Sequence, residues 1–175
     1  MGIIKGYKFI QDNMKSQNGN TEWKLKQWKK HKGQLIMCES GFHASKTPLQ
    51  SLNYPYGNKW FMIEAKGQII RDKDKFCAQE MRLIKELPTK KISVEFAIAC
   101  AERCLKNFEK KYPKDKRPRQ AIQAAKNWLK NPNEENRKKA ESARLAAWSV
   151  AESAAESAAE RKWQEQKLKQ IIIKE

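Results

Sequence analysis

The sequence predicts an α+β protein, with a small β-rich N-terminal domain at residues 1–90 and an all-α C-terminal domain at residues 91–175. Up to Pro88, short apolar or alternating runs are separated by turn residues, a pattern typical of strands. From Ile92 onward, apolar residues recur every three or four positions, which is typical of amphipathic helices. The connector between the two patterns is short, and we therefore expect the domains to pack together.

In the first domain, each predicted strand is an apolar run bounded by turn residues. The predicted strands are Ile3–Ile10, Leu35–Cys38 and Trp60–Ala65, with residues 67–71 continuing the last or pairing with it. Turns are predicted at residues 12–21, at Ser40-Gly41 and at residues 54–58. Thr47 and Pro48 predict a short helix reaching about Tyr54, because threonine caps helices well and proline suits the first helical position. Residues 76–87 fit a strand or a helix.

The second domain is predicted to contain three helices, the last of them long and alanine-rich. The first runs over Ser93–Lys111 with Ser93 as its cap, and one face carries Phe96, Cys100, Cys104 and Phe108. The second, Pro118–Lys130, is expected to bury Ile122, Ala125 and Leu129, with Trp128 at the edge. The third begins near Asn133 and reaches about Ile173, with Ala-Glu-Ser-Ala at 140, 151 and 155. This small-residue stripe would let helices approach closely, and the length predicts a bend.

Positive charge is spread over the whole chain. The formal net charge is +17, and the isoelectric point is about 9.8. Lysines and arginines number 17 against 8 carboxylates in residues 1–90, and 20 against 12 in residues 91–175. Such an excess attracts polyanions and speeds their encounter. The predicted partners are therefore RNA or DNA, or a nucleoprotein nuclease complex, with a protein target as the alternative.

The four cysteines are expected to be reduced thiols. The start MGIIKGYKF lacks a signal-peptide pattern, and no apolar run approaches the roughly 18 residues of a membrane span. We therefore expect a cytoplasmic protein of a bacterial host cell, with no membrane partner. The oligomeric state stays open, because the alanine-rich helix suits packing within one chain or between two copies.

One histidine and three thiols form a set that zinc accepts by ligand type: His43, Cys38, Cys100 and Cys104. Their spacing matches no zinc finger, and the last two lie on an apolar helix face. Ordinary buried cysteines are the favoured interpretation, and no metal or cofactor is expected.

Three basic segments are candidates for nucleic-acid contact. The segment EWKLKQWKKHK mixes lysines that can meet phosphate with indoles that can stack on bases or pack in a core. Its candidate residues are Trp23, Lys24, Lys26, Trp28, Lys29, Lys30 and Lys32. The loop between the first two helices contributes Lys114, Lys116, Arg117 and Arg119. The start of the third helix contributes Arg137, Lys138 and Lys139, where positive charge opposes the helix dipole.

His43 has a second interpretation, as part of a nucleotide pocket. Tyr7, His43, Ser45, Tyr54 and Glu80 could converge if a Gly-Phe-His-Ala-Ser strand is followed by the short helix. This order of residues resembles ADP-ribosyltransferases, and the resemblance implies that Glu80 would polarise a ribose. A structural histidine bonded to a backbone carbonyl is the alternative. No P-loop, dinucleotide turn, Ser/His/Asp set or zinc-protease motif is present.

Two longer stretches resemble known families. LIMCESGFHASKTPLQSLNY, with WFMIEAKGQI after it, resembles an uncharacterised domain of phage and prophage proteins, over roughly residues 4–87. ACAERCLKNFEKKYPKDKRPRQAIQAAKNWL resembles the helical immunity proteins of bacterial toxin systems, over roughly residues 95–170. The first resemblance implies a mobile-element setting, and the second implies binding to an antagonist without catalytic residues.

Three functions follow as hypotheses. The first is a non-enzymatic counter-defence inhibitor, of the anti-CRISPR type, that binds a nucleic acid or nucleoprotein through its basic surfaces. The second is an immunity-type protein that neutralises a toxin by protein–protein binding. The third is an ADP-ribosyltransferase-like enzyme centred on His43 and Glu80.

Overall fold

A computed structural model of the chain describes residues 2–18, 21–136 and 158–175. It separates into two compact units, Met1–Thr89 and Lys90–Glu175. The first unit is a β-sheet with one short helix, and the second contains helices. This agrees with the predicted α+β class.

The first unit contains five strands and a single helical turn. The elements are β1 (Ile4–Ile10), β2 (Lys29–Lys30), β3 (Phe42–Ala44), α1 (Pro48–Ser51), β4 (Lys59–Arg71) and β5 (Phe76–Leu87). The ambiguous segment 76–87 is a strand, because it pairs with β4 from Arg71↔Phe76 to Trp60↔Leu87. Residues 67–71 continue β4 beyond a bulge between Lys66 and Ile69.

The sheet is antiparallel, with β4 between β1 and β5. Strands β2 and β3 pair with successive parts of the other edge of β5. Just beyond β3, Ser45 exchanges two backbone hydrogen bonds with Tyr7 of β1, at 2.8 and 2.9 Å. The circuit β1–β4–β5–β3 therefore returns to β1, and it brings residues 7, 8, 43 and 45 together.

Large apolar side chains fill the space enclosed by these strands. Alternate residues of β4, namely Phe61, Ile63 and Ala65, are buried in the same cluster as Trp23 and Met81. Period-two alternation places one side of each strand inward. The core is therefore built mainly from β4 and β5.

Helix α1 begins as its sequence predicts. The Thr47 side chain accepts a hydrogen bond from the Gln50 backbone, and the Gln50 side chain accepts one from the Thr47 backbone. The helix ends at Ser51, earlier than the predicted Tyr54. The predicted strand Leu35–Cys38 is wrong: residues 37–39 form a turn, and Cys38 has a φ of 69°. Its apolar residue Leu35 is buried without pairing in a ladder.

The described residues of the second unit include three helices, α2 (Thr89–Lys111), α3 (Arg117–Lys130) and α4 (Ala158–Ile173). Helix α2 begins at Thr89, so the predicted cap at Ser93 is wrong. Ile98, Ala101 and Ile122 form the shared core of α2 and α3. Trp128 is only 9% exposed, so it lies in the interior rather than at the edge.

Two ion pairs show the relative direction of α2 and α4. Lys91 pairs with Glu175 at 2.6 Å and Arg103 with Glu160 at 2.7 Å, so α4 runs antiparallel to α2. Residues 134–136 are helical, but most of the predicted third helix, including the Ala-Glu-Ser-Ala copies at 140 and 151, lies outside the described residues. Within the described part of the chain, no helix is long and apolar enough to span a membrane.

Candidate functional site

A cavity of about 190 Å³ lies in the first unit, where β1, β3 and the loops around them meet. Strand pairing places its walls, because Tyr7 and Ser45 are bonded across the β1–β3 junction. Its lining includes charged, titratable and hydroxyl side chains, namely Tyr7, Lys8, Cys38, Glu39, His43, Ser45, Tyr54, Tyr56 and Lys75. Four of the five residues predicted to converge on a nucleotide therefore do line one cavity.

Lys8 lies on the core-facing side of β1, on the same side as Ile4 and Ile10. Its Nζ donates a hydrogen bond to the His43 backbone oxygen at 2.8 Å and lies 6.0 Å from the centre of the Trp23 ring. The pKa of Lys8 is lowered to about 8, because burial disfavours the charged ammonium. Lys8 is thus a cation held against the apolar core.

His43 is fixed by backbone groups on both sides of its ring. Its Nε2 accepts a hydrogen bond from the Cys38 backbone at 2.9 Å, and the ring also bonds the Gly41 backbone. Burial, followed by the nearby charge of Lys8, lowers the pKa of His43. The imidazole is therefore neutral at pH 7, and its hydrogen bonds to backbone groups fit the structural-histidine interpretation.

A second cation, Lys75, lies at the end of the turn between β4 and β5. It is hydrogen-bonded to the Cys38 side chain, which raises the pKa of Lys75 to about 12. Its Nζ also lies 4.9 Å from the centre of the Tyr54 ring. The Tyr54 hydroxyl donates to the Asp74 carboxylate at 2.9 Å, and the Tyr56 ring lies 6.0 Å from that of Tyr54. Cations and aromatic rings thus face the same cavity.

Glu80 does not join the cavity. It pairs with Lys66 at 3.3 Å and is not among the lining residues. In the register of β5, Cys77 lies opposite His43, whereas Glu80 lies opposite Lys30 of β2. Glu80 therefore does not converge with His43 on this cavity, and the cavity lacks the glutamate that the transferase hypothesis placed beside a ribose.

The four candidate zinc ligands are divided between the units. Cys38 and His43 belong to the first unit, whereas Cys100 and Cys104 lie on α2 in the second. Burial raises the pKa of Cys100 to about 12, as expected for a thiol in an apolar setting. Among the described residues, no group of three or more histidine, cysteine or carboxylate side chains could hold a metal ion.

The basic segment at residues 22–32 is only partly available to a ligand. Trp23 is 2% exposed and donates its indole N–H to Ser16 at 2.8 Å, so it belongs to the core and cannot stack on bases. Trp28 is flanked by Lys66 Nζ at 4.5 Å and Arg82 Cζ at 4.7 Å from its ring centre. The lysines of the segment face solvent wholly or in part: Lys24, Lys26, Lys29, Lys30 and Lys32.

The connection between α2 and α3 is a second ordered feature. Arg117 binds the Asp115 carboxylate through both its backbone and its guanidinium, with a shortest contact of 2.6 Å. Arg119 pairs with Glu109 at 2.7 Å. Lys116 donates to a backbone oxygen, while Lys114 is exposed. The third basic segment, Arg137, Lys138 and Lys139, lies outside the described residues.

Sequence reasoning missed the two cavity lysines. Lys8 gave a usable signal: it is a charge at even spacing from Ile4 and Ile10, on the side of the strand that those residues bury. Lys75 gave none, because its position depends on where the β4–β5 hairpin folds relative to β3. The left-handed backbone conformation of Cys38 could not be predicted from the sequence either, since cysteine rarely adopts it.

The two units define a protein with a β-sheet module that encloses a cavity and a separate helical module. Residues 4–95 match the family model described as a domain of unknown function, DUF7666. This match spans more than half of the chain, and the chain therefore belongs to that family. Residues 83–162 match a model described as "Imm-5 like putative immunity protein". Neither a search of curated proteins nor one of solved structures gave a match.

Both matches agree with the two resemblances in the sequence. The immunity-protein model supports the second functional hypothesis and a protein partner. Neither match supports an anti-CRISPR role or binding to nucleic acid.

Proposed function

We propose that this protein is an immunity-type protein that neutralises a toxin by protein–protein binding. The single observation that carries the proposal is the match of residues 83–162 to the Imm-5 like immunity-protein model. That range contains the whole of α2 and the whole of α3. The toxin-binding surface is therefore sought on the second unit.

The α2–α3 connection has the properties of a binding surface. Tyr112 is 47% exposed, and its ring packs on Phe108 at a centroid distance of 5.0 Å. Tyrosine is one of the residue types that most often dominate the free energy of protein–protein binding. The two ion pairs at Asp115 and Glu109 hold the loop in place, which lowers the entropy lost on binding.

The charge of this surface indicates the kind of partner. Lys110, Lys111, Lys114 and Lys116 are exposed around Tyr112. Charge complementarity speeds encounter and excludes wrong partners. The toxin is therefore expected to present an acidic surface, and binding should weaken as salt increases.

Growth rescue tests the proposal directly. A bacterial host would express each candidate toxin encoded beside this gene, with or without the protein, and a purified one-to-one complex would confirm binding. The double change Lys114→Glu and Lys116→Glu should abolish rescue. Lys24→Glu with Lys26→Glu alters the charge by the same amount on the first unit and is the matched control. Equal loss of rescue in both double variants would refute the assigned surface, and no rescue by the wild-type chain would refute the function.

Nucleic acid or nucleoprotein binding is the second candidate, because Lys24, Lys26, Lys30 and Lys32 are exposed beside one another in sequence. The test is the absorbance ratio at 260 and 280 nm of protein purified at moderate salt, with and without nuclease. Bound RNA or DNA that high salt removes would support this candidate. A clean protein would count against it.

A further inference from the structure

The cavity of the first unit contains two ammonium groups that no carboxylate neutralises. Neither Lys8 nor Lys75 has an aspartate or glutamate within ion-pair distance in the described part of the chain. Glu39 is the acidic residue that lines the cavity, and Asp74 is bonded to Tyr54. His43 adds no charge, because its Nε2 is an acceptor. The charged side chains that line the cavity are therefore Lys8, Lys75 and Glu39, and their sum is positive.

Lys8 costs the protein free energy and contributes little to the fold. Its hydrogen bond to His43 satisfies one of the three donors of the ammonium. An apolar side chain at this position would face Trp23 and the core without any desolvation cost. A charge held against the core where the fold does not need it is typical of binding sites, in which stability is lower than the scaffold allows.

An anion bound in this cavity would be attracted by both groups. Lys8 comes from β1 and Lys75 from the β4–β5 turn, and both line the same cavity as His43. Two ammonium groups match the charge of a phosphate monoester, and lysine is a common phosphate ligand. The rings of Tyr54 and Tyr56 offer apolar surface to the remainder of such a ligand.

We propose that the cavity binds the phosphate group of a small phosphorylated molecule, with Lys8 and Lys75 as its ligands. The site lies entirely within the first unit, and it is a function additional to toxin neutralisation. The site does not need Glu80, whose position excluded the transferase arrangement.

Nuclear magnetic resonance of the His43 ring tests the proposal, with inorganic phosphate as the probe and chloride at matched ionic strength as the reference. Phosphate should shift the ring resonances in a saturable way. AMP should bind at least as tightly as phosphate, whereas adenosine should not bind. Lys8→Met and Lys75→Met should each weaken phosphate binding by about 10- to 100-fold, the effect of removing one charge-assisted hydrogen bond.

Lys24→Met is the matched control, because it removes one charge from the exposed surface of the same unit. It should leave phosphate binding unchanged. The proposal is overturned if phosphate gives no saturable shift, if adenosine binds as tightly as AMP, or if Lys24→Met weakens binding as much as the cavity variants. Lys75→Met keeps the test decisive if Lys8→Met does not fold, since Lys75 lies in a turn outside the core.

Discussion

Replacement of Lys8 by methionine should stabilise the protein at neutral pH. Burial lowers the pKa of Lys8 from 10.5 to about 8, and each pKa unit corresponds to about 1.4 kcal/mol. The charged ammonium therefore costs about 3 kcal/mol in the folded state. The methionine variant avoids this cost but also loses the hydrogen bond to the His43 oxygen, which lowers its stability by about 1 kcal/mol. The expected gain in the free energy of unfolding at pH 7 is about 2 kcal/mol.

The stability advantage of Lys8→Met should decrease as pH rises, because the pKa of Lys8 is lowered in the folded state. Because the folded pKa of Lys8 lies below the unfolded value, the unfolded chain binds more protons between about pH 8 and 10.5. The cost of Lys8 is therefore complete below pH 8 and disappears as pH rises towards 10.5. The advantage of Lys8→Met should shrink over the same range.

Other groups near Lys8 also titrate. Burial raises the pKa of Cys77, which interacts electrostatically with Lys8, and lowers the pKa of His43. Burial also raises the pKa of Tyr54 and of Cys100. A raised thiol or phenol pKa removes stability as pH rises, so the wild-type curve alone does not isolate Lys8. The difference between wild type and variant cancels the contributions of Tyr54 and Cys100, which both chains share. Removal of the Lys8 charge also raises the pKa of Cys77 further, and this change too makes the advantage of Lys8→Met shrink as pH rises.

Urea unfolding followed by tryptophan fluorescence at pH 7 and pH 9.5 measures this difference. Lys24→Met controls for the loss of one positive charge from a protein of net charge +17. It should change stability by less than about 0.5 kcal/mol at either pH. A Lys8→Met protein that is less stable than wild type at pH 7, or whose advantage is equal at both values of pH, would refute the reasoning.

Three further substitutions test the scaffold of the cavity, each by the midpoint of urea unfolding. Gly41→Ala should cost at least about 2 kcal/mol, since φ is 111° and the new methyl group would overlap the Cys77 sulfur; an unchanged midpoint would contradict this geometry. Ser51→Ala should cost about 1–3 kcal/mol, because it leaves the buried Trp60 indole N–H without its 3.0 Å acceptor, and a Ser51→Thr protein that retains the hydroxyl should lose less. Thr47→Ala should cost about 1 kcal/mol through the lost cap of α1, whereas Thr47→Ser should be nearly neutral.

Local chemistry explains which elements could be predicted from the sequence. The capped start of α1 depends on Thr47, Pro48 and Gln50 alone, and it was predicted correctly. The segment Phe76–Leu87 was ambiguous because its apolar residues fit two periods, and only the ladder with β4 decides between them. Leu35–Cys38 was mistaken for a strand because burial without pairing leaves the same apolar pattern.

The candidate site depends on contacts that are distant in sequence. Residues 7 and 45 meet because β3 pairs with β5, which pairs with β4, which pairs with β1. No spacing between neighbouring residues encodes that circuit. The prediction that Tyr7, His43, Ser45 and Tyr54 converge rested on their residue types in order along the chain. It placed Glu80 wrongly because the register of β5 was not known.

Net charge was the weakest guide to function, since it counts cations that serve very different purposes. Arg117 and Arg119 are paired with carboxylates, and Lys66 and Arg82 lie against Trp28 while also pairing with glutamates. Lys8 faces the core. A polyanion meets only the remaining exposed lysines, so the charge of +17 overstates the surface that nucleic acid could neutralise. The salt dependence of the binding constant therefore reports how many cations contact the polyanion. A complex confined to the α2–α3 connection should weaken only slightly as salt increases. A complex that also engages residues 22–32 should weaken steeply.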